Sequence, residues 1–303
     1  MTAPKARAAD WTEEKGARNE RPATREGGVA KGEWGGGRGA GGAKEAGQTL
    51  HAEWTKLRTV ASTGWLLLGA AALTTGVSAA VDAAATCPSS SCQADPAKLS
   101  LTGVQAGQAI VAIIAVLAVS NEYSTGMIRI TLTAMPRRLA VLAAKATLIT
   151  GLVLAVSAVA VLACVLAGRL ILPGHGFTPA HGYPLLSLSH GPDLRAACGS
   201  VLYLALIALL SLGVATAVRE TAVAIGLVLG LLYVFPVVTS AISNQHWQRH
   251  LEQIGPMTAG LYIQATANLR SLPLTPWQGL GVLALWAAGA LTIGALVFRF
   301  RDA

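Results

Sequence analysis

The sequence predicts an all-α integral membrane protein, a bundle of six spanning helices, and three observations carry that prediction. First, 53% of the 303 residues are hydrophobic and only 13% are charged, whereas a soluble domain is nearer a quarter charged. Second, several uninterrupted apolar segments reach the roughly 20 residues that a bilayer core of about 30 Å requires at 1.5 Å rise per residue. Third, the alternating pattern of a barrel strand is absent, and unpaired backbone groups are too costly in hydrocarbon for anything but helices.

In chain order, residues 1–48 read as a disordered cytoplasmic tail, with "GGGRGAGGAKEAG" its clearest low-complexity stretch. Its basic and acidic residues nearly cancel, which fits a mixed-charge linker better than a one-sided polybasic lipid-binding arm. Next, Leu50, Trp54, Leu57 and Ala61 recur at helical spacing while Lys56 and Arg58 fall on other faces. Residues 50–63 are therefore expected to form an amphipathic elbow helix on the cytoplasmic leaflet; the alternative is a simple extension of the first span.

The six spans are expected near residues 64–85, 103–120, 139–168, 196–218, 221–242 and 279–298. The fourth and fifth are separated only by Arg219 and Glu220, a tight surface hairpin. No cleavable signal peptide is expected ahead of the first span.

Charge placement sets the orientation. The basic residues before the first span, together with Arg129, Arg137, Arg138, Lys145, Arg219, Arg299 and Arg301, fall on one side. Lys98, Arg169, Arg195, Arg249 and Arg270 fall on the other. The positive-inside rule then makes both termini cytoplasmic. The net charge of +8 is accounted for by topology, and nucleic acid is not an expected partner. Asp82 and Lys145 lie towards span ends, where snorkelling is cheap.

Cys87 and Cys92 share the first external loop, where a disulfide survives if it forms; a bridge there pins a small loop and carries no chemistry. In the loop of residues 244–277, Trp247, Leu251 and Ile254 line one helical face, followed by a moderately apolar stretch too broken to span. A pair of short helices dipping into the outer leaflet fits that composition.

Catalytic signatures are missing. His246 and His250 are four apart, but position 247 is Trp, so the glutamate of a zinc-protease motif is absent. His175, His181 and His190 read as solvated loop residues among prolines. No phosphate-binding loop of the GxxxxGK[ST] type and no GxSxG elbow occurs. The chain is expected to hold no cofactor or metal and to be a non-catalytic subunit.

The block "NEYSTGMIRITLTAMPRR" between the second and third spans stands out. On a helical wheel, Tyr123, Met127, Ile130 and Ala134 make one apolar stripe, and Ile128, Leu132 and Met135 a second on nearly the opposite side. Glu122, Thr125, Gly126, Arg129 and Thr133 gather between them. A helix lying on lipid needs one apolar face, so two suggest burial against protein. Pro136 stops the helix, and Arg137 and Arg138 anchor the next span. An ordinary topogenic loop would need only the arginines.

Four pieces, "HAEWTKLRTVASTGW", the block itself followed by "AVLAAK", "LTPWQGL" and the terminal "RFRDA", resemble the membrane subunits of actinobacterial ATP-binding cassette exporters of the type-2 permease family. The resemblance covers about residues 50–303. It implies a permease domain over 49–303 with an elbow helix, a coupling helix at about 122–136 and re-entrant helices between the fifth and sixth spans. It further implies that two permease subunits, alike or different, pair in the cell membrane over two separate ATP-binding subunits, which hold the ATP and magnesium. Coupling to those subunits would run through Glu122, Tyr123, Ser124, Thr125, Gly126, Arg129 and Arg137. The alternative functions are a stand-alone ion-coupled secondary transporter and, more distantly, an intramembrane enzyme.

Overall fold

The computed structural model describes residues 61–87, 94–124, 138–183 and 185–300, and all regular structure among them is helical. The helices are α1 (Ala61–Ala84), α2 (Pro96–Ser100), α3 (Val104–Ser124), α4 (Arg138–Ile171), α5 (Gly191–Val218), α6 (Thr221–Leu229), α7 (Phe235–Ser240), α8 (Gln245–Ile254), α9 (Pro256–Leu261) and α10 (Pro276–Phe300). Six helical stretches are long and apolar enough to cross a membrane: Gly64–Ala84, Pro96–Ser120, Val141–His175, Gly191–Val218, Thr221–Ser240 and Pro276–Val297. The chain is a multi-pass membrane protein with the span count its hydropathy predicts.

Helix α5 is the axis. It packs against α3, α4, α6 and α10, while α1 lies on α3 and α4. The core threads from Val104 and Val116 of α3 through Leu204, Ile207, Leu210 and Leu212 of α5 to Leu283 of α10. Large apolar side chains also point outward, among them Leu162, Leu166 and Leu170 of α4 and Leu285, Ile293 and Leu296 of α10. Lipid is as apolar as they are, so helix association rests on close packing rather than on hydrophobic burial. A Cβ on Gly213 of α5 would stand 2.5 Å from the Ala290 carbonyl carbon, and one on Gly294 of α10 would stand 2.0 Å from Thr216 Oγ1. These two glycines set the α5–α10 separation.

The connections make the two ends of the bundle unlike. At the turn end, α5 stops at Arg219, which takes a left-handed conformation (φ 62°). Glu220 then caps α6 by accepting from the amides of Ala222 (3.2 Å) and Val223 (2.7 Å). This is the two-residue hairpin read from the sequence. The opposite, cap end carries α2, the turns between α4 and α5, and α8 with α9.

Two details depart from a simple reading. The fifth span is not one regular helix: a π turn at Gly230–Val234 separates α6 from α7. Pro236 explains it, since proline offers no amide to the preceding turn and its ring crowds the carbonyl there, which the wider turn relieves. The loops of the cap end are also packed rather than merely solvated. Cys87, Ala97, Leu172, Phe177 and Leu186 form a small core of their own, Tyr183 meets Phe177 edge-on with ring centroids 5.3 Å apart, and His181 Nδ1 lies 2.7 Å from the Gly176 carbonyl oxygen. His175 and His181 are half-buried there, and only His190 is exposed.

Cys87 is disulfide-bonded. Cys164 and Cys198 are free, and Cys92, the remaining cysteine, lies outside the described residues. The tail, the elbow residues Trp54, Lys56, Leu57 and Arg58, and most of the block between α3 and α4 lie outside them too. Of the block's expected coupling residues, Glu122, Tyr123 and Ser124 belong to the last turn of α3. Thr125, Gly126, Arg129 and Arg137 are not described.

Candidate functional site

The densest polar constellation inside the bundle lies where the α8–α9 hairpin enters it. Helix α8 starts on Asn244, whose side chain accepts from His246 N (3.0 Å) and Trp247 N (3.5 Å). It ends at Gly255, after which Pro256 opens α9. The carbonyl of Ile254 accepts from Trp286 Nε1 at 2.8 Å. Trp286 is ten residues into α10, about 15 Å along it from Pro276, so the tip of the hairpin reaches well down the bundle. Gly260 permits this: a Cβ there would lie 2.7 Å from the Tyr203 ring.

Around that tip, Tyr203 of α5 is fully buried and donates its hydroxyl to Gln108 Oε1 of α3. The Gln108 amide nitrogen donates to Met257 Sδ of α9 at 3.3 Å. Tyr233, in the π turn, donates to the Gln105 carbonyl at 2.5 Å. Just after α9, buried Gln264 donates to Ser200 Oγ (3.1 Å) and to the Leu101 carbonyl (3.4 Å). Amides and phenols are costly in hydrocarbon unless paired, and each of these finds a partner on another helix. Every group in this set is neutral, so it can lock or release helices but moves no charge.

A second lock holds the hairpin's far end. Asp95 caps α2 through Lys98 N (3.2 Å) and accepts from Thr266 N (2.5 Å), Thr266 Oγ1 (2.6 Å) and Ala267 N (2.9 Å). Arg195 of α5 donates to the Ala265 carbonyl at 2.5 Å. Between the two locks, Tyr262 donates to Glu252 Oε2 at 3.4 Å. Burial, and then the neighbouring Glu252 charge, push the Tyr262 phenol up to about 12.

A third polar group is Asp82 near the end of α1. The expectation that it snorkels is corrected: Asp82 is completely buried. Helix α2 folds over it, with Ser100 Oγ donating to Asp82 Oδ1 at 3.3 Å, and α4 closes against it at Gly168, where a Cβ would meet Ser100 Oγ at 2.0 Å. Snorkelling needs an open route to water, and the cap blocks it. Asp82 Oδ2 is buried without a hydrogen-bond partner, which makes this ionisable group a functional candidate. Nearby, Ser78 Oγ accepts from Gly103 N at 3.0 Å.

None of Gln108, Tyr203, Gln264 or Asp95 stands out in the sequence by motif. Gln105 and Gln108 in an otherwise apolar span are the one local signal, because an amide in hydrocarbon demands a partner. His246 and His250 do approach, with Nε2 atoms 3.2 Å apart, yet among the described residues no group of three or more metal-ligating side chains forms. Neither a protein-family model nor a curated protein matches the chain.

Proposed function

We propose that this chain is the membrane-spanning permease subunit of an ATP-driven exporter of the type-2 ATP-binding cassette kind. It pairs with a second permease subunit and receives separate ATP-binding subunits on its cytoplasmic face. The observation that carries the reading is the placement of the "EYSTGMIR…MPRR" block. Two connections join spans at the turn end, the Arg219–Glu220 hairpin and residues 125–137. The hairpin is too short to grip anything, so a partner docking there between the termini meets the block. Helix α3 leads into the block and is described as far as Ser124; the two-faced pattern of the block is a property of its sequence. The locked hairpin at the cap end supports the reading too, since the same family likeness expects re-entrant helices between the fifth and sixth spans.

In this reading ATP binding moves the block, and α3 transmits the movement to Gln105 and Gln108. ATP can drive the change only through contacts that differ between the two states. Glu122 and Arg129 offer charge-assisted bonds to the partner and Gly126 a close approach. Substituting Gly126→Leu together with Arg129→Ala should abolish ATP-dependent transport in vesicles while membrane insertion stays normal. Undiminished export by that variant overturns the assignment.

A second reading, an ion-coupled carrier, is favoured by one observation: Asp82, buried with an unpartnered oxygen. Transport in proteoliposomes that contain this chain and an ion gradient but no ATPase, lost on Asp82→Asn, would establish it in place of the first.

A further inference from the structure

Ser100 of α2 has one hydroxyl hydrogen and two acceptors in reach, the Pro96 carbonyl at 3.0 Å and Asp82 Oδ1 at 3.3 Å. Asp82 is completely buried, and its Oδ2 has no partner. An ionised Asp82 would therefore hold a share of one hydrogen bond on about four acceptor sites, whereas a buried charge needs an ion partner and full hydrogen bonding. The charged and titratable groups on the elements packed against that end of α1 are Lys98 of α2, Asp95 that caps α2, Cys164 and Arg169 of α4, and His175 in the turn Leu172–His175. Helix α3 has none before Glu122. Lys98 and Arg169 are exposed, His175 is half-buried, Asp95 is committed to Lys98, Thr266 and Ala267, and the Cys164 thiol donates to the Thr74 carbonyl at 3.8 Å. Among the described residues no ion pair reaches Asp82.

We propose that Asp82 is a proton-binding site, and that its neutral carboxyl latches α2 over the ends of α1 and α4. A protonated Oδ1 donates to Ser100 Oγ, which leaves the serine hydrogen for the nearer Pro96 carbonyl. Oδ2 is then the carbonyl oxygen of a neutral acid, far cheaper to leave unpaired than a charge. Volume selects the proton over a metal ion. A Cβ on Gly168 would lie 3.1 Å from Oδ2, so the α4 backbone already abuts that oxygen. The cavity that Pro96 and Gly168 share with Arg169 and Leu172 is about 10 Å³, room for about one water. A cation that gathers about six oxygen ligands does not fit there. Loss of the proton puts an uncompensated charge beneath α2 and lifts it. Asp95 ties the start of α2 to Thr266 and Ala267, so the segment after α9 loosens with it. The latch depends on neither transport reading, and its readouts are local to the cap.

The full-length protein would be reconstituted in lipid vesicles and followed from about pH 5, where exposed carboxylates are already ionised, to about pH 8. At the acid end, the infrared spectrum of wild type minus Asp82→Asn should show the carbonyl band of a protonated carboxyl, and the band should vanish as pH rises. In step with it, hydrogen exchange at Lys98, Thr266 and Ala267, corrected for intrinsic rates, should show protection falling by at least about tenfold. Opening releases one proton, so raising the pH favours the open cap by up to about tenfold per unit. Asp82→Asn keeps the shape and an N–H donor for Ser100 but has no proton to lose, so its protection should stay level.

Absence of the band overturns the proposal, as does wild-type protection as level as that of Asp82→Asn. So does recovery of protection at the alkaline end when choline chloride is exchanged for sodium or potassium chloride, which would assign the site to a metal ion. If Asp82→Asn fails to fold, wild type carrying isotopically labelled aspartate decides alone. A band that moves with the label, resists exchange in heavy water and titrates with α2 protection supports the latch, and its absence overturns it.

Discussion

Tyr203 and Gln108 show how a single buried contact is placed under constraint. Truncating Tyr203→Phe leaves Gln108 Oε1 buried without its donor, which costs about 1–3 kcal/mol. Gln108→Leu strands the Tyr203 hydroxyl in the same way. Replacing both removes the orphaned group along with its partner, so the double variant should be less destabilised than the sum of the two singles. Thermal unfolding in detergent, followed by fluorescence-detected size exclusion, measures all three; strict additivity would mean the contact is not formed. Tyr262 offers a spectroscopic check. Its neutral form is favoured, with the phenol raised from 10.0 to about 12, so its contribution to stability is intact below about pH 10 and is lost as pH rises through about 12. The phenolate absorbance difference between wild type and Tyr262→Phe should titrate near the upper value rather than near 10.

Among the elements, the α5–α10 pair and the cap depend on different physics. At Gly213 the approach is backbone to backbone, with Ala290 and Leu291 at 2.5–2.6 Å from a Cβ placed there. Gly213→Ala must push the helices apart and should lower the melting temperature. Gly226→Ala on α6 meets open space and should be neutral or stabilising by up to about 1 kcal/mol through helix propensity. An equal effect at the two sites would contradict the packing described. The cap relies on hydrogen bonds and a disulfide. Asp95 serves α2 and the segment after α9 at once, so Asp95→Ala should loosen both. That loosening would appear as faster hydrogen exchange at Thr266, Ala267 and Lys98, with the amides of α5 unaffected.

For the whole molecule, the six spans and the two-residue turn at Arg219–Glu220 were legible because each follows from local composition. A run of apolar residues must cross as helix, and two charges between such runs must come out at a surface. The α8–α9 pair was legible as two short helices for the same reason, through Trp247, Leu251 and Ile254. Asp82 was misread because its depth is set by α2, which arrives from another part of the chain. The Gln108 knot was missed because a glutamine in a span announces a need for a partner without naming it, and Tyr203 lies 95 residues away. The block between α3 and α4 is the reverse case: its double-sided pattern and family likeness are sequence properties, and the coupling role they support is tested by the Gly126→Leu, Arg129→Ala variant.

The sequence by itself determined that this chain lives in a membrane, how many times it crosses, and where its charge is concentrated, since hydrocarbon imposes those outcomes one segment at a time. Only the tertiary structure decided which polar groups meet, that Asp82 is sealed under α2, and that the hairpin tip locks onto α3, α5 and α10. Those outcomes depend on distances between residues far apart in the chain, set by small contacts such as Gly213 on Ala290, and no local pattern encodes them.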